Sequence, residues 1–168
     1  MKNVFFTPGP SQLFPTVPKH MSQALKENIP SISHRGQKFQ EIYEGTVSGL
    51  RQLLNIPDTH KVYFLASGTE AMERVIENCV ARYSFHFVNG SFSKRFYNTA
   101  LELRKKPQKY EAPAGDGFVF LKMNLPKEIE LICLTQNETS TGVQVPMSDV
   151  YKLKKQYPDK LVALDIVS

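Results

Sequence analysis

The period of the hydrophobic pattern changes near residue 61. Upstream, apolar residues recur at helical spacing: Phe39, Ile42, Tyr43, Val47, Leu50, Leu53 and Leu54 share one face of a segment from 37 to 54, and Pro57 stops it. A shorter helix is predicted over 18–26, with proline tolerated in its first turn. Downstream, short apolar runs alternate with helical stretches. Residues 62–66 (VYFLA), 85–88 (FHFV), 130–135 (ELICLT) and 161–166 (LVALDI) predict buried strands, and 109–112 an edge strand. Between them, Ala71, Met72, Val75, Ile76 and Cys79 form one helical stripe, and Phe92, Phe96, Ala100 and Leu103 a second. Val150, Leu153 and Tyr157 form the inner face of a third helix over 146–157. Turns are expected at Asn89-Gly90 and Gly115-Asp116-Gly117, and polar loops at 29–36 and 136–142. The alternation of strand and helix predicts an α/β fold, a mostly parallel sheet with helices on both faces.

The stretch 61–79 organises the rest. A predicted strand runs into Ser67-Gly68-Thr69-Glu70, where Ser67 and Glu70 have the spacing of a capping box. Strand, glycine-containing turn and helix start together expose unpaired amides at the positive end of a helix dipole, which is a seat for a phosphate. In parallel α/β sheets ligands bind beyond the carboxyl ends of the strands. The polar residues expected there are Ser67 to Glu70, Asn89 to Ser93, Asn137-Glu138-Thr139 and Asp165. They offer an anion seat, an aromatic plate (Phe92), hydrogen-bonding side chains and a carboxylate. Read singly, each has an ordinary structural role: Phe92 as a core aromatic, Thr139 as a turn cap, Asp165 as a helix cap or ion-pair partner.

Composition narrows the classes. With 168 residues, 41% hydrophobic and 22% charged, the chain is globular in composition. Its apolar runs fall short of the roughly 20 residues that cross a bilayer, and proline interrupts the apolar N-terminal stretch where a signal peptide would continue. Cys79 and Cys133 are isolated and read as buried thiols of a cytoplasmic, reducing compartment. His20, His34, His60 and His86 show no metal-ligand spacing. The net charge of +5 is scattered. Arg104, Lys105, Lys106 and Lys109 complement a helix end, while Lys152, Lys154, Lys155 and Lys160 read as a solvated face and its exit. Neither group is interleaved with aromatics, which argues against a nucleic-acid partner, and no membrane partner is expected.

Several short strings occur in an order that resembles the class V aminotransferases of pyridoxal-phosphate fold type I, the phosphoserine aminotransferase branch most closely. They are Thr7-Pro8-Gly9-Pro10, Ser33-His34-Arg35-Gly36, Lys61-Val62-Tyr63-Phe64, Gly90-Ser91-Phe92, Asn137-Glu138-Thr139 and Asp165 to Ser168. The resemblance implies an extended arm over 1–17 and, over 18–168, the N-terminal part of a large cofactor-binding domain. The small C-terminal domain and the Schiff-base lysine are expected beyond Ser168. It implies a homodimeric enzyme of serine biosynthesis with pyridoxal 5'-phosphate as cofactor and amino acid and 2-oxo acid substrates. Gly68, Thr69 and Glu70 would bind the cofactor phosphate, Phe92 would stack on the ring, Thr139 would bond near its phenolic oxygen, and Asp165 would pair with the ring nitrogen. His34 and Arg35 would bind the anionic group of the substrate. The chain departs from the phosphoserine branch at Phe92, where tryptophan is usual, at Pro8, at the final Asp165 string, and at the Ser67 to Glu70 turn. That turn is closer to the alanine–glyoxylate or serine–pyruvate branch, which is the alternative reading. A nucleotide- or nucleic-acid-binding α/β module is a further alternative, without the glycine string such modules carry.

Overall fold

The computed structural model describes residues 4–6, 9, 11–120 and 123–167. Thr7, Pro8 and Pro10 of the first string and Ser168 of the last lie outside the described residues. The chain forms two compact units, Met1–Phe64 and Leu65–Ser168.

The first unit is helical. Helix α1 (Val17–Lys26) carries proline in its first turn, and a short 3-10 turn (Ile29–Ser31) follows within the expected loop. Helix α2 (Gln37–Leu54) begins after Gly36 and ends at Asn55, whose φ of 52° is the left-handed cap conformation. The Arg51 guanidinium then holds the exit loop, donating to the carbonyls of Ile56 (3.3 Å), Pro57 (2.7 Å) and His60. The stretch 62–66 corrects the sequence reading, because it is not a strand. A β-strand exists only through a ladder with a neighbour, and among the described strands none pairs with it. Its groups are spent on α2 instead: Tyr43 Oη donates to the Val62 carbonyl (3.2 Å), and the Tyr43 ring meets Phe64 edge-on at 5.5 Å. Tyr63 is left 78% exposed.

The second unit is a parallel α/β layer. Its strands are β1 (Tyr83–Val88), β2 (Lys106–Glu111), β3 (Leu131–Thr135) and β6 (Leu161–Asp165), in the order β2-β1-β3-β6. Every pairing in this sheet is parallel. Helices α3 (Gly68–Cys79), α4 (Ser91–Glu102) and α5 (Met147–Gln156) match the three stripes. The loop expected after β3 contains a two-strand hairpin, β4 (Asn137–Glu138) and β5 (Val143–Gln144), turned through Gly142 at φ 72°.

Side chains of β3 alternate between two cores, as period-2 geometry requires. Leu131 and Cys133 pack with Met72, Ile76, Phe96 and Ala100 of α3 and α4. Ile132 and Leu134 pack with Phe85, Phe87, Val150 and Leu153 on the α5 side. Two charged residues knit the strand entrances. Glu130 lies just before β3 and accepts from the amides of Ala81, Arg82 (3.0 Å) and Tyr83 (3.1 Å), which more than offsets burial and lowers its carboxyl pKa. Lys160, expected on the surface, is only 5% exposed; its ammonium donates to the carbonyls of Lys127 and Ile129, both at 2.9 Å.

His86 sits in the α3/α4 layer, 1% exposed, with Nε2 2.8 Å from Ser84 Oγ and its ring edge-on to Phe96 and Tyr97. Burial disfavours its charged form and lowers its pKa from 6.5 to about 3. Across that interval the unfolded chain holds a proton that the folded chain refuses. His86 therefore contributes full stability above pH 6.5, and loses it as pH falls towards 3. The expected slope is up to about 1.4 kcal/mol per pH unit from this group. Urea unfolding of the full-length protein as a function of pH should show that acid limb, and His86→Gln should flatten it by one proton.

Candidate functional site

The strands are parallel, so their carboxyl ends lie on one side of the sheet, and the polar groups collect there. Ser67 is extended (φ −158°, ψ 163°) and its Oγ accepts from the Glu70 amide at 3.1 Å. Glu70 Oε2 in turn accepts from the Ala66 amide at 2.8 Å. The cap expected from the sequence is present, and it spends the amide of Glu70. The amides of Gly68 and Thr69 have no acceptor among the described residues, so they are the groups this helix start offers to an anion. A Cβ at Gly68 would lie 3.2 Å from Cγ2 of the exposed Val167 side chain, a close approach that a small shift of that side chain would relieve.

These amides open onto a cleft of about 170 Å³. Its walls are Ser67 to Thr69 from the α3 start, Phe92 and Arg95 from α4, and Thr135 and Asp165 from the ends of β3 and β6. Phe92 is 48% exposed, so its ring is not spent on the core. Asp165 and Thr135 are paired in register across β3 and β6. Asp165 Oδ2 accepts from Thr135 Oγ1 at 3.3 Å and Oδ1 from the Val167 amide at 3.1 Å. Among the described residues no cation pairs with this carboxylate. A larger, mainly apolar cleft of about 340 Å³ adjoins it between α3 and β6, and shares Gly68, Met72, Asp165 and Val167.

The structure thus brings together Gly68, Thr69, Phe92 and Asp165. Thr139 does not line this cleft; it is exposed in the turn between β4 and β5. His34 and Arg35 belong to the first unit, exposed at the centre of a turn whose Ser33 accepts from the amides of Arg35 (Oγ, 3.2 Å) and Gly36 (carbonyl, 3.0 Å). Thr135, Arg95 and Asn137 line the cleft without having been singled out individually for it. The signals were there: Thr135 is the polar residue closing a buried run, and Arg95 follows Phe92 by three positions, on the same helix face. No group of side chains able to hold a metal ion occurs among the described residues.

Residues 3–86, half of the chain, match the family model described as aminotransferase class-V. The chain belongs to the class V aminotransferases. A phosphoserine aminotransferase from Cytophaga hutchinsonii, solved by crystallography, is 50% identical and superposes with a TM-score of 0.91 over 98% of this chain and 46% of its own. An uncharacterized aminotransferase of Methanocaldococcus jannaschii is 28% identical over all of this chain and 43% of its own length. A phosphoserine aminotransferase of Burkholderia ambifaria is 26% identical over 83% of this chain and 42% of its own length. The chain therefore spans less than half the length of these relatives. The parallel sheet and its helices are those of the class V fold.

Gly90 lies between β1 and α4, packed against the side chains of Glu138 and Ser140. A Cβ there would overlap Glu138 Cγ and Cδ and crowd Ser140 Oγ. Glu138 is buried and hydrogen-bonded, so it cannot swing aside. Gly90→Ala in the full-length protein should lower the unfolding free energy by roughly 1–3 kcal/mol, read as a lower urea midpoint at unchanged slope.

Proposed function

We propose that this chain forms the cofactor-binding part of a pyridoxal-phosphate-dependent aminotransferase that acts on phosphoserine, with glutamate and 2-oxoglutarate as the other pair. The observation that carries the cofactor is the convergence, in one cleft, of two helix-start amides and a strand-end carboxylate that have, respectively, no acceptor and no cation among the described residues, together with an exposed aromatic face. Each is unfavourable or idle by itself, and each fits a different part of one flat, anionic, pyridine-bearing molecule. The substrate reading is supported by the 50% identity to the Cytophaga hutchinsonii phosphoserine aminotransferase.

Pyridoxal phosphate, when bound, supplies an electron sink for the Cα of the amino acid. The chain's own residues would do the rest. Gly68 and Thr69 would donate their amides to the phosphate, helped by the α3 dipole and by the lack of any side chain on Gly68. Phe92 would cover one ring face and exclude water. Asp165 would accept the hydrogen bond of the protonated ring nitrogen and keep that proton in place, with Thr135 and the Val167 amide fixing the carboxylate's rotation. His34 and Arg35 would take the substrate's anionic group at a neighbouring subunit's site, in a cytoplasmic homodimer. The planar fork of arginine suits that task. Among the described residues no helix is long and apolar enough to cross a membrane.

Two measurements on the full-length protein test this. Asp165→Ala should lower transamination by orders of magnitude while the fold is kept, because the lost interaction lies at the electron sink; near-parental turnover would remove Asp165 from the role. In direct competition, kcat/KM for phosphoserine should exceed that for alanine by at least about a hundredfold, the scale set by leaving a charged pocket unpaired. A preference for alanine with glyoxylate would move the protein to the alanine–glyoxylate branch.

A further inference from the structure

The carboxyl ends of the sheet hold a second carboxylate. The chain leaves β1 for β2 on one side and continues from β2 to β3 on the other, so β1 and β3 flank a topological switch point, the usual place for an anion on a parallel sheet. Here the loops after β1 and β3 meet, and the chain fills the position with its own Glu138. The residue is 1% exposed. One oxygen accepts from the Phe92 amide (3.2 Å) and Ser140 Oγ (2.6 Å), the other from the Ser93 amide (2.8 Å) and Ser93 Oγ (2.7 Å). Ser140 Oγ also accepts from the Ser91 amide at 2.8 Å, so the first three amides of α4 are all taken by the hairpin after β3. Ser93 Oγ accepts in turn from the amides of Asn89 (3.0 Å) and Gly90 (3.1 Å), which extends the network back to the end of β1.

Burial pushes the Glu138 carboxyl up, but the donors Ser140 and Ser93 and the Phe92 amide outweigh it, and the pKa is lowered. The group is therefore an anion held by hydrogen bonds and a helix dipole, and no cation pairs with it among the described residues. Two consequences follow. The start of α4 has no amide left for a phosphate, which leaves α3 as the anion seat. In addition, Phe92 hangs from the residue whose amide Glu138 grips, while Asn137 of the cleft wall is Glu138's chain neighbour.

We infer that Glu138 is a positioning residue of the cleft: its buried carboxylate fixes the start of α4, and with it the Phe92 plate, to the hairpin after β3. This rests on the reading that the cleft takes pyridoxal phosphate. Glu138 touches no reacting atom and acts through Phe92, so its effect on cofactor binding vanishes once the ring is gone.

A double-mutant cycle in the full-length protein tests the inference, with the dissociation constant of pyridoxal phosphate and its induced circular dichroism as readouts. Glu138→Gln preserves shape but sets an NH2 against N–H and O–H donors. In the parent it should weaken the cofactor by about tenfold and reduce the induced signal. In a Phe92→Ala background the same change should alter the dissociation constant by less than about twofold. A purely structural role would lower the thermal midpoint in both backgrounds and leave the two effects on binding additive; that additivity, or an unchanged spectrum in Glu138→Gln, overturns the inference. If Glu138→Gln does not fold, Ser140→Ala removes one donor to the same carboxylate and runs the same cycle. A full-length parent that binds no pyridoxal phosphate overturns the cofactor reading itself, and is recognised before any variant is made.

Discussion

A strand with no water on either face governs the second unit. All five residues of β3 are buried, and their side chains divide between a layer made by α3 and α4 and a layer made by α5. Such a strand must be apolar in both directions, must pair on both edges and must have its ends managed by other groups. β1 and β6 supply the edges, and Glu130 and Lys160 manage the entrances. The exit is where apolar character stops, at Thr135, and polar chemistry can begin only there. The cleft's position follows from the core.

Two carboxylates at that exit show how environment separates roles. Glu138 has four donors and no exposure to speak of, and its charge is used up in holding a helix start. Asp165 has two bonds, of 3.3 and 3.1 Å, borders two clefts and lacks a cation among the described residues. A charge-assisted hydrogen bond contributes on the order of 1.5–3 kcal/mol, so Glu138 recovers its desolvation cost within the chain. Asp165 is only partly buried, has fewer internal bonds and faces the cleft, so it stays open to a partner from outside the chain, the position the proposed function gives to a pyridinium.

Much of this was legible in the residues. The Ser67/Glu70 cap, the stripes of α3, α4 and α5, and the buried runs at β1 and β3 lie where local pattern places them, because pattern and packing agree there. The strand at β6 is also where expected, but as the edge strand of the described sheet it has no buried residue, which corrects the reading of 161–166 as a buried run. The stretch 62–66 has the residues of a strand but no neighbour to pair with, and pairing is not a local property. The β4–β5 hairpin is two residues a side, too short for alternation to register. Lys160 was read from its charge as surface, whereas its position at a strand entrance supplies carbonyls that accept its protons. Thr135 was visible as a polar terminus, but its pairing with Asp165 exists only once β3 and β6 are in register.

Lys160 also gives the molecule a built-in reporter of opening. An amine reacts with an acylating reagent only as the free base and only where the reagent can reach it. Lys152, by comparison, has an exposed side chain ion-paired with Asp149. The ammonium of Lys160 is enclosed and donates to two main-chain carbonyls, so in a mass-spectrometric footprint it stays silent while surface lysines are modified. Its labelling would mark the moment when the entrances of β3 and β6 come apart, a local event that a global melting curve averages away.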